Sequence, residues 1–160
     1  MVTRSFSSSS ASTPSPHLLI RSRRLQSFSM SALEPVSGSI LIVDDDEAVT
    51  QTFARMLRRE GFTVRTAVSA ESGLAEATAH RPDAIILDLR MPLIDGLSFL
   101  KRLRAMDSHA QVPVAIVTGD YFLDDAISAE LKQLGAELTF KPLWLEDLVG
   151  LARTLLKVTH

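Results

Sequence analysis

Residues 83–96, which read D-A-I-I-L-D-L-R-M-P-L-I-D-G, narrow the possible folds more than any other stretch of the chain. Residues 84–87 are continuously apolar and lie between Pro82 and the Met91-Pro92 turn, the pattern of a short strand buried on both faces. A strand without a polar face belongs inside a parallel sheet, covered by helices above and below. Asp88 then stands at the rim of that sheet, where open α/β folds bind their ligands. A lone aspartate in such a place is more often a turn or helix-capping residue. The weight therefore falls on what the rest of the chain brings to the same rim.

Four further strand signals alternate with helical ones. Residues 40–43 form a buried strand ending in Asp44-Asp45-Asp46-Glu47, and Val49, Phe53, Met56 and Leu57 follow at helical spacing, closed by Arg58, Arg59 and Gly61. A second strand covers residues 62–67, after which Ser69 caps a helix that turns Leu74 and Ala77 inward and stops before Pro82. Beyond the Asp88 strand, a helix carries Leu97, Leu100 and Leu103 inward and Lys101, Arg102 and Arg104 outward. Residues 113–118 form a fourth buried strand that stops at Thr118-Gly119-Asp120. The next helix begins at Asp124-Asp125, keeps Ile127, Leu131 and Leu134 inside and ends at Gly135. A fifth strand, residues 138–140, runs into Lys141-Pro142, and Leu145, Leu148, Val149 and Ala152 give the last helix its apolar face. Trp144, just after the lysine, reads as core. Five strands alternating with five helices predict a parallel sheet with right-handed crossovers and helices on both faces.

All strands of such a sheet end on one edge, so Asp44, Asp45, Asp88, Thr118 and Lys141 collect there. Three carboxylates held together repel by roughly 4 kcal/mol per pair at about 4 Å and an effective dielectric near 20. A cation is needed to hold them, and an all-oxygen donor set with room for water suits Mg2+, which leaves positions open for a phosphate. On this reading Asp88 is the nucleophile toward phosphorus, the Lys141 ammonium and the metal neutralise the phosphoryl oxygens, and the Thr118 hydroxyl donates to one of them. Asp46 and Glu47 are left as helix-capping acids.

Composition closes off several alternatives. The chain has no cysteine, which excludes thiolate metal sites and cysteine nucleophiles, and His17, His80, His109 and His160 have no metal-binding spacing. Residues 1–37 carry Arg4, Arg21, Arg23 and Arg24 against Glu34, a net +3, so the remainder carries −5. An acidic globular part argues against direct binding of nucleic acid. The first 37 residues are Ser- and Arg-rich, with a Ser7 to Ser10 run and Pro14 and Pro16, a composition that predicts a disordered extension. Its longest apolar run, residues 18–20, is too short for a signal peptide core or a membrane span. Met30 is an alternative start close to the first strand, favoured here over an organellar transit peptide.

At these residues the chain resembles the response-regulator receiver domain of two-component signalling. The resemblance rests on I-L-I-V-D-D-D-E from Ile40, L-D-L-R-M-P-L-I-D-G from Leu87, P-V-A-I-V-T-G from Pro113 and F-K-P from Phe140. Each piece is common alone; in this order, on these strand ends, they are specific. The resemblance implies a doubly wound, flavodoxin-like α/β domain over residues 38–160, with Asp88 as phosphoacceptor. It implies that Asp45 binds Mg2+ directly and Asp44 through water, that the backbone carbonyl of Arg90 is a further ligand, and that Lys141-Pro142 is a cis bond. It also implies Thr118 and Lys141 as switch residues, and a sensor histidine kinase or histidine phosphotransfer protein as donor.

The expected function is that of a single-domain, cytoplasmic response regulator, a phosphoacceptor and not an enzyme. It would signal through an unidentified downstream protein effector as a monomer or weak dimer, with no nucleic acid and no membrane as partner. Two rivals are a haloacid-dehalogenase-like phosphatase, whose D-x-D is imitated by Asp44-x-Asp46, and a pseudo-receiver that binds partners without phosphorylation. The phosphatase would carry its nucleophile on the first strand, and a pseudo-receiver typically lacks one of the five groups kept here. The chain departs from the family in two respects. The aromatic residue usual three positions before the lysine is replaced by Leu138, while the loop after Thr118 is lengthened and offers Tyr121 or Phe122 as a substitute.

Overall fold

A computed structural model describes residues 37–158. Expectations for the first 36 residues, including the extension and the Met30 start, fall outside the described residues. The strands are β1 (Ser39–Val43), β2 (Thr63–Ala67), β3 (Ala84–Asp88), β4 (Val114–Thr118) and β5 (Ala136–Phe140). They form one parallel sheet in the order β2-β1-β3-β4-β5. The helices are α1 (Glu47–Arg59), α2 (Ala70–Ala79), α3 (Gly96–Arg104), α4 (Asp125–Gln133) and α5 (Leu145–Val158), with a short 3-10 turn at Asp107–His109.

Alternation along each strand builds the two covering layers. Ile40, Ile42, Ile86, Ala115 and Val117 face Phe53 and Leu57 of α1 and Leu148, Ala152 and Leu155 of α5. Leu41, Val43, Ile85, Leu87 and Ile116 face the other way, onto Ala77 of α2, Phe99, Leu100 and Leu103 of α3 and Leu131 of α4. This is the doubly wound arrangement expected from the sequence. Every residue of β3 and β4 is buried, which accounts for their uninterrupted apolar runs.

Helix ends follow their capping residues. Asp46 accepts from the backbone N–H of Ala48 and Val49, Ser69 from Ser72, Asp95 from Ser98 and Asp124 from Ala126. The Lys141-Pro142 peptide is cis, as the resemblance implied. Several inward or outward assignments are corrected, among them Leu145, which is 44% exposed at the start of α5. Trp144 is 70% exposed, because it precedes α5 on a loop and sits above the core. Phe99, absent from the expected α3 stripe, is fully buried, and Leu97 is only partly so.

Arg104 does not point to solvent. Its Nε donates to Leu134 O at 2.8 Å and its Nη1 to His109 O at 3.1 Å and Val112 O at 2.7 Å, so one guanidinium ties α3 to the chain before β4 and to the end of α4. Nothing in the α3 periodicity signals this, because all three carbonyls lie beyond the helix. Arg104→Ala is expected to cost about 1–3 kcal/mol, since three partly buried carbonyls lose a charged donor. A urea midpoint within error of wild type would refute the tie.

Candidate functional site

Strand register decides what meets at the C-terminal edge of the sheet. Val43 lies opposite Leu87, so Asp44 leaves β1 beside Asp88. Asp88 lies opposite Val117 and Thr118 opposite Phe140, which carries Thr118 and then Lys141 one step further along the same rim. β2 ends at Ala67 and contributes nothing comparable.

Asp44, Asp45 and Asp88 can each bring one carboxylate oxygen within 4.8 Å of the other two. Asp44 and Asp88 are buried and Asp45 is exposed, so the cluster opens to solvent on one side. Asp44 Oδ1 accepts from the Asp46 N–H at 2.9 Å, which turns its other oxygen toward the site. The Lys141 ammonium donates to Asp44 Oδ2 at 3.0 Å and lies 3.4 Å from Asp88 Oδ1. Thr118 is fully buried, and its Oγ1 accepts from the Asp120 N–H at 3.1 Å. A methyl group at Gly119 would meet no atom within 4 Å, so the approach beside Thr118 is open.

Burial and the neighbouring Asp44 charge push the Asp88 carboxyl up to about 6, Lys141 only partly opposing them. Burial disfavours the Lys141 charge, but its hydrogen bond to Asp44 and the Asp88 and Asp44 charges outweigh it, and its pKa lies above the ordinary lysine value. With all four groups ionised, three negative charges face one positive charge. The residual double negative charge, oxygen donors and open Asp45 side match a small divalent cation.

Of two further contacts at the rim, the first had no counterpart in the sequence and the second falls on an aromatic residue that the lengthened loop had offered. The Arg90 guanidinium forms an ion pair with Asp120, bridging the loop after β3 to the loop after β4. This pair holds the Asp120 carboxyl below its usual range through the Arg90 hydrogen bond. Positions thirty residues apart on two loops leave no periodic signal. The second contact is the hydroxyl of Tyr121, which donates to the backbone carbonyl of Lys141. Phe122, the other aromatic offered by the lengthened loop, is 95% exposed and its ring has no stacking partner among the described residues.

Residues 40–153 match the response regulator receiver domain. Transcriptional regulatory protein PrrA of Mycobacterium tuberculosis is 41% identical over 121 residues, covering 76% of this chain and 51% of that protein. Response regulator MprA of Mycobacterium ulcerans is 35% identical, over 78% of this chain and 52% of that protein. Among solved structures, chemotaxis protein CheY4 of Vibrio cholerae superposes with a TM-score of 0.69 at 28% identity, over 75% of this chain and 99% of that one. The chain thus spans about half the length of the curated relatives it matches.

These relatives correct the expected partners. An output confined to a downstream protein, with nucleic acid excluded, does not stand beside relatives named as transcriptional regulatory proteins. The −5 charge behind that exclusion describes the acidic receiver, and says nothing of what a protein containing such a domain acts upon. Among the described residues no helix is long and apolar enough to cross a membrane. The acidic rim, the strand order and the match along residues 40–153 agree, and the chain belongs to the response regulator receiver domain family.

Proposed function

We propose that this chain is a phosphoacceptor: Asp88 takes a phosphoryl group from a phosphohistidine of a histidine kinase or phosphotransfer protein. The observation that carries this is the Lys141 ammonium set between Asp44 and Asp88 at the edge where three carboxylates converge. An Asp88 oxygen attacks phosphorus and the P–N bond breaks in line, the bond's electron pair going to the donor imidazole, which is protonated on its other nitrogen and so leaves as the neutral ring. Above about pH 6 the Asp88 carboxylate is ionised and competent to attack. Lys141 faces the developing charge on the phosphoryl oxygens, and the Thr118 hydroxyl, at the end of β4, can donate to another. Asp44, Asp45 and Asp88 with the Arg90 carbonyl would hold Mg2+, which when bound supplies neutralising charge to the phosphoryl oxygens.

On this reading residues 38–160 form the receiver unit behind an extension of 37 residues, in a cytoplasmic protein. The domain is a signalling element without multiple turnover, so sustained hydrolysis of para-nitrophenyl phosphate would contradict it. The likeness to transcriptional regulatory proteins makes control of transcription the output that the reading favours.

Mg2+ is expected to raise the thermal midpoint, by the equivalent of about 2.7 kcal/mol at a hundredfold excess over its dissociation constant. Asp45→Ala is expected to remove most of that response without lowering the metal-free midpoint, since Asp45 is exposed. A wild-type midpoint unmoved by Mg2+ would sink the metal assignment.

A further inference from the structure

We propose that Tyr121 is a positioning residue for Lys141, an inference that rests on the phosphoacceptor reading. The Lys141 peptide is held from both sides by a single loop. Its N–H donates to Thr118 O at 2.8 Å, and its carbonyl accepts from the Tyr121 hydroxyl, so residues 118–121 grip the backbone from which the ammonium reaches Asp44 and Asp88.

The Tyr121 ring is itself fixed. It stacks on Phe140, the residue before Lys141, with centroids 5.5 Å apart and planes inclined by 16°. The loop beneath it is closed on itself, because Asp120 donates its N–H to Thr118 Oγ1 at 3.1 Å and accepts from the Phe122 N–H at 3.1 Å. Arg90 anchors Asp120 from the far side. Leu138 packs into the core on the α2–α4 face and offers no ring at the rim.

A lysine has four flexible side-chain bonds, and its ammonium wanders unless the backbone beneath it is held. Tyr121 supplies that hold through two independent contacts, ring on Phe140 and hydroxyl on Lys141. The residue is 60% exposed, so its role is not to fill the core. Because the loop begins at Thr118, anything that draws the Thr118 hydroxyl toward a phosphoryl group pulls on the Lys141 carbonyl through the same few residues.

The test compares wild type, Tyr121→Phe and Tyr121→Ala, each in the native and in a Lys141→Met background. The first readout is the rate of phosphoryl uptake from acetyl phosphate with Mg2+, followed by intact mass. Tyr121→Phe keeps the stack and loses the hydroxyl, and is expected to slow uptake about fivefold, the equivalent of one ordinary hydrogen bond. Tyr121→Ala should slow it further, and neither change should matter once Lys141 is Met. The second readout needs no metal: acetylation of Lys141 by a small acylating reagent, scored against exposed Lys132 and Lys157, should speed up several-fold in Tyr121→Phe. Uptake by Tyr121→Phe at the wild-type rate, or equal slowing in the Lys141→Met background, would overturn the proposal while leaving the phosphoacceptor reading intact. No uptake by wild type would bring down both.

Discussion

Asp88→Asn protein is expected to accept no phosphoryl group and yet to melt several degrees above wild type near neutral pH. The first half follows from loss of the nucleophile. The second follows from the pKa. A carboxyl whose folded pKa is raised from 3.8 to about 6 takes up protons more readily in the native state than in the unfolded chain. The stability it lends is present below about pH 3.8 and is lost as the pH rises through about 6. At neutral pH the ionised group is therefore a burden, at most about 3 kcal/mol for a shift of roughly two units. That value is already net of the Lys141 ammonium at 3.4 Å, and solvent reaching the open side of the cluster screens part of the gain. A net stabilisation of about 1–2 kcal/mol, a few degrees in midpoint, is expected. The difference from wild type should shrink as the pH falls from about 7 to about 4. A variant that melts at or below wild type at neutral pH would show that burial and Asp44 do not strain Asp88.

Gly96→Ala is expected to be the most damaging single-methyl change at the rim. A Cβ on Gly96 would lie 2.5 Å from the backbone oxygen of Asp88 and 2.9 Å from Leu89 Cα, and both are main-chain atoms that cannot swing away. Alanine gains up to about 1 kcal/mol over glycine in a helix. Overpacking against backbone costs about 1–3 kcal/mol and wins. The relief available is to move the end of β3, breaking the Gly96 N–H to Leu89 O hydrogen bond of 2.8 Å and shifting Asp88. Destabilisation by about 1–2 kcal/mol with slower phosphoryl uptake is expected, whereas Gly119→Ala, with open space around its Cβ, should leave the thermal midpoint unchanged. Equal behaviour of the two alanine variants would contradict the close approach.

Much of this was legible in the chain because buried parallel strands announce themselves. β3 and β4 are apolar at every position before their terminal polar residues, and once the strands alternate with helices, parallel topology carries Asp44, Asp88, Thr118 and Lys141 to one edge. Capping was equally local: Asp46, Ser69 and Asp124 sit where their helices begin. What periodicity missed depends on contacts between segments distant in sequence. Arg104 looks like an outward helix residue until the chain before β4 folds across it. Trp144 looks like core by composition, yet the loop between β5 and α5 lifts it into solvent. Composition also misled on partners, since the charge of the receiver carries no information about the output of the longer proteins it resembles.

The central claim is that Asp88 becomes phosphorylated. Incubation with Mg2+ and acetyl phosphate followed by intact mass tests it most directly. Wild type should gain the mass of a single phosphoryl group with Mg2+ present and none when excess chelator is added beforehand, and Asp88→Asn should gain none. An unmodified wild type, or equal modification of the Asp88→Asn protein, would contradict the account.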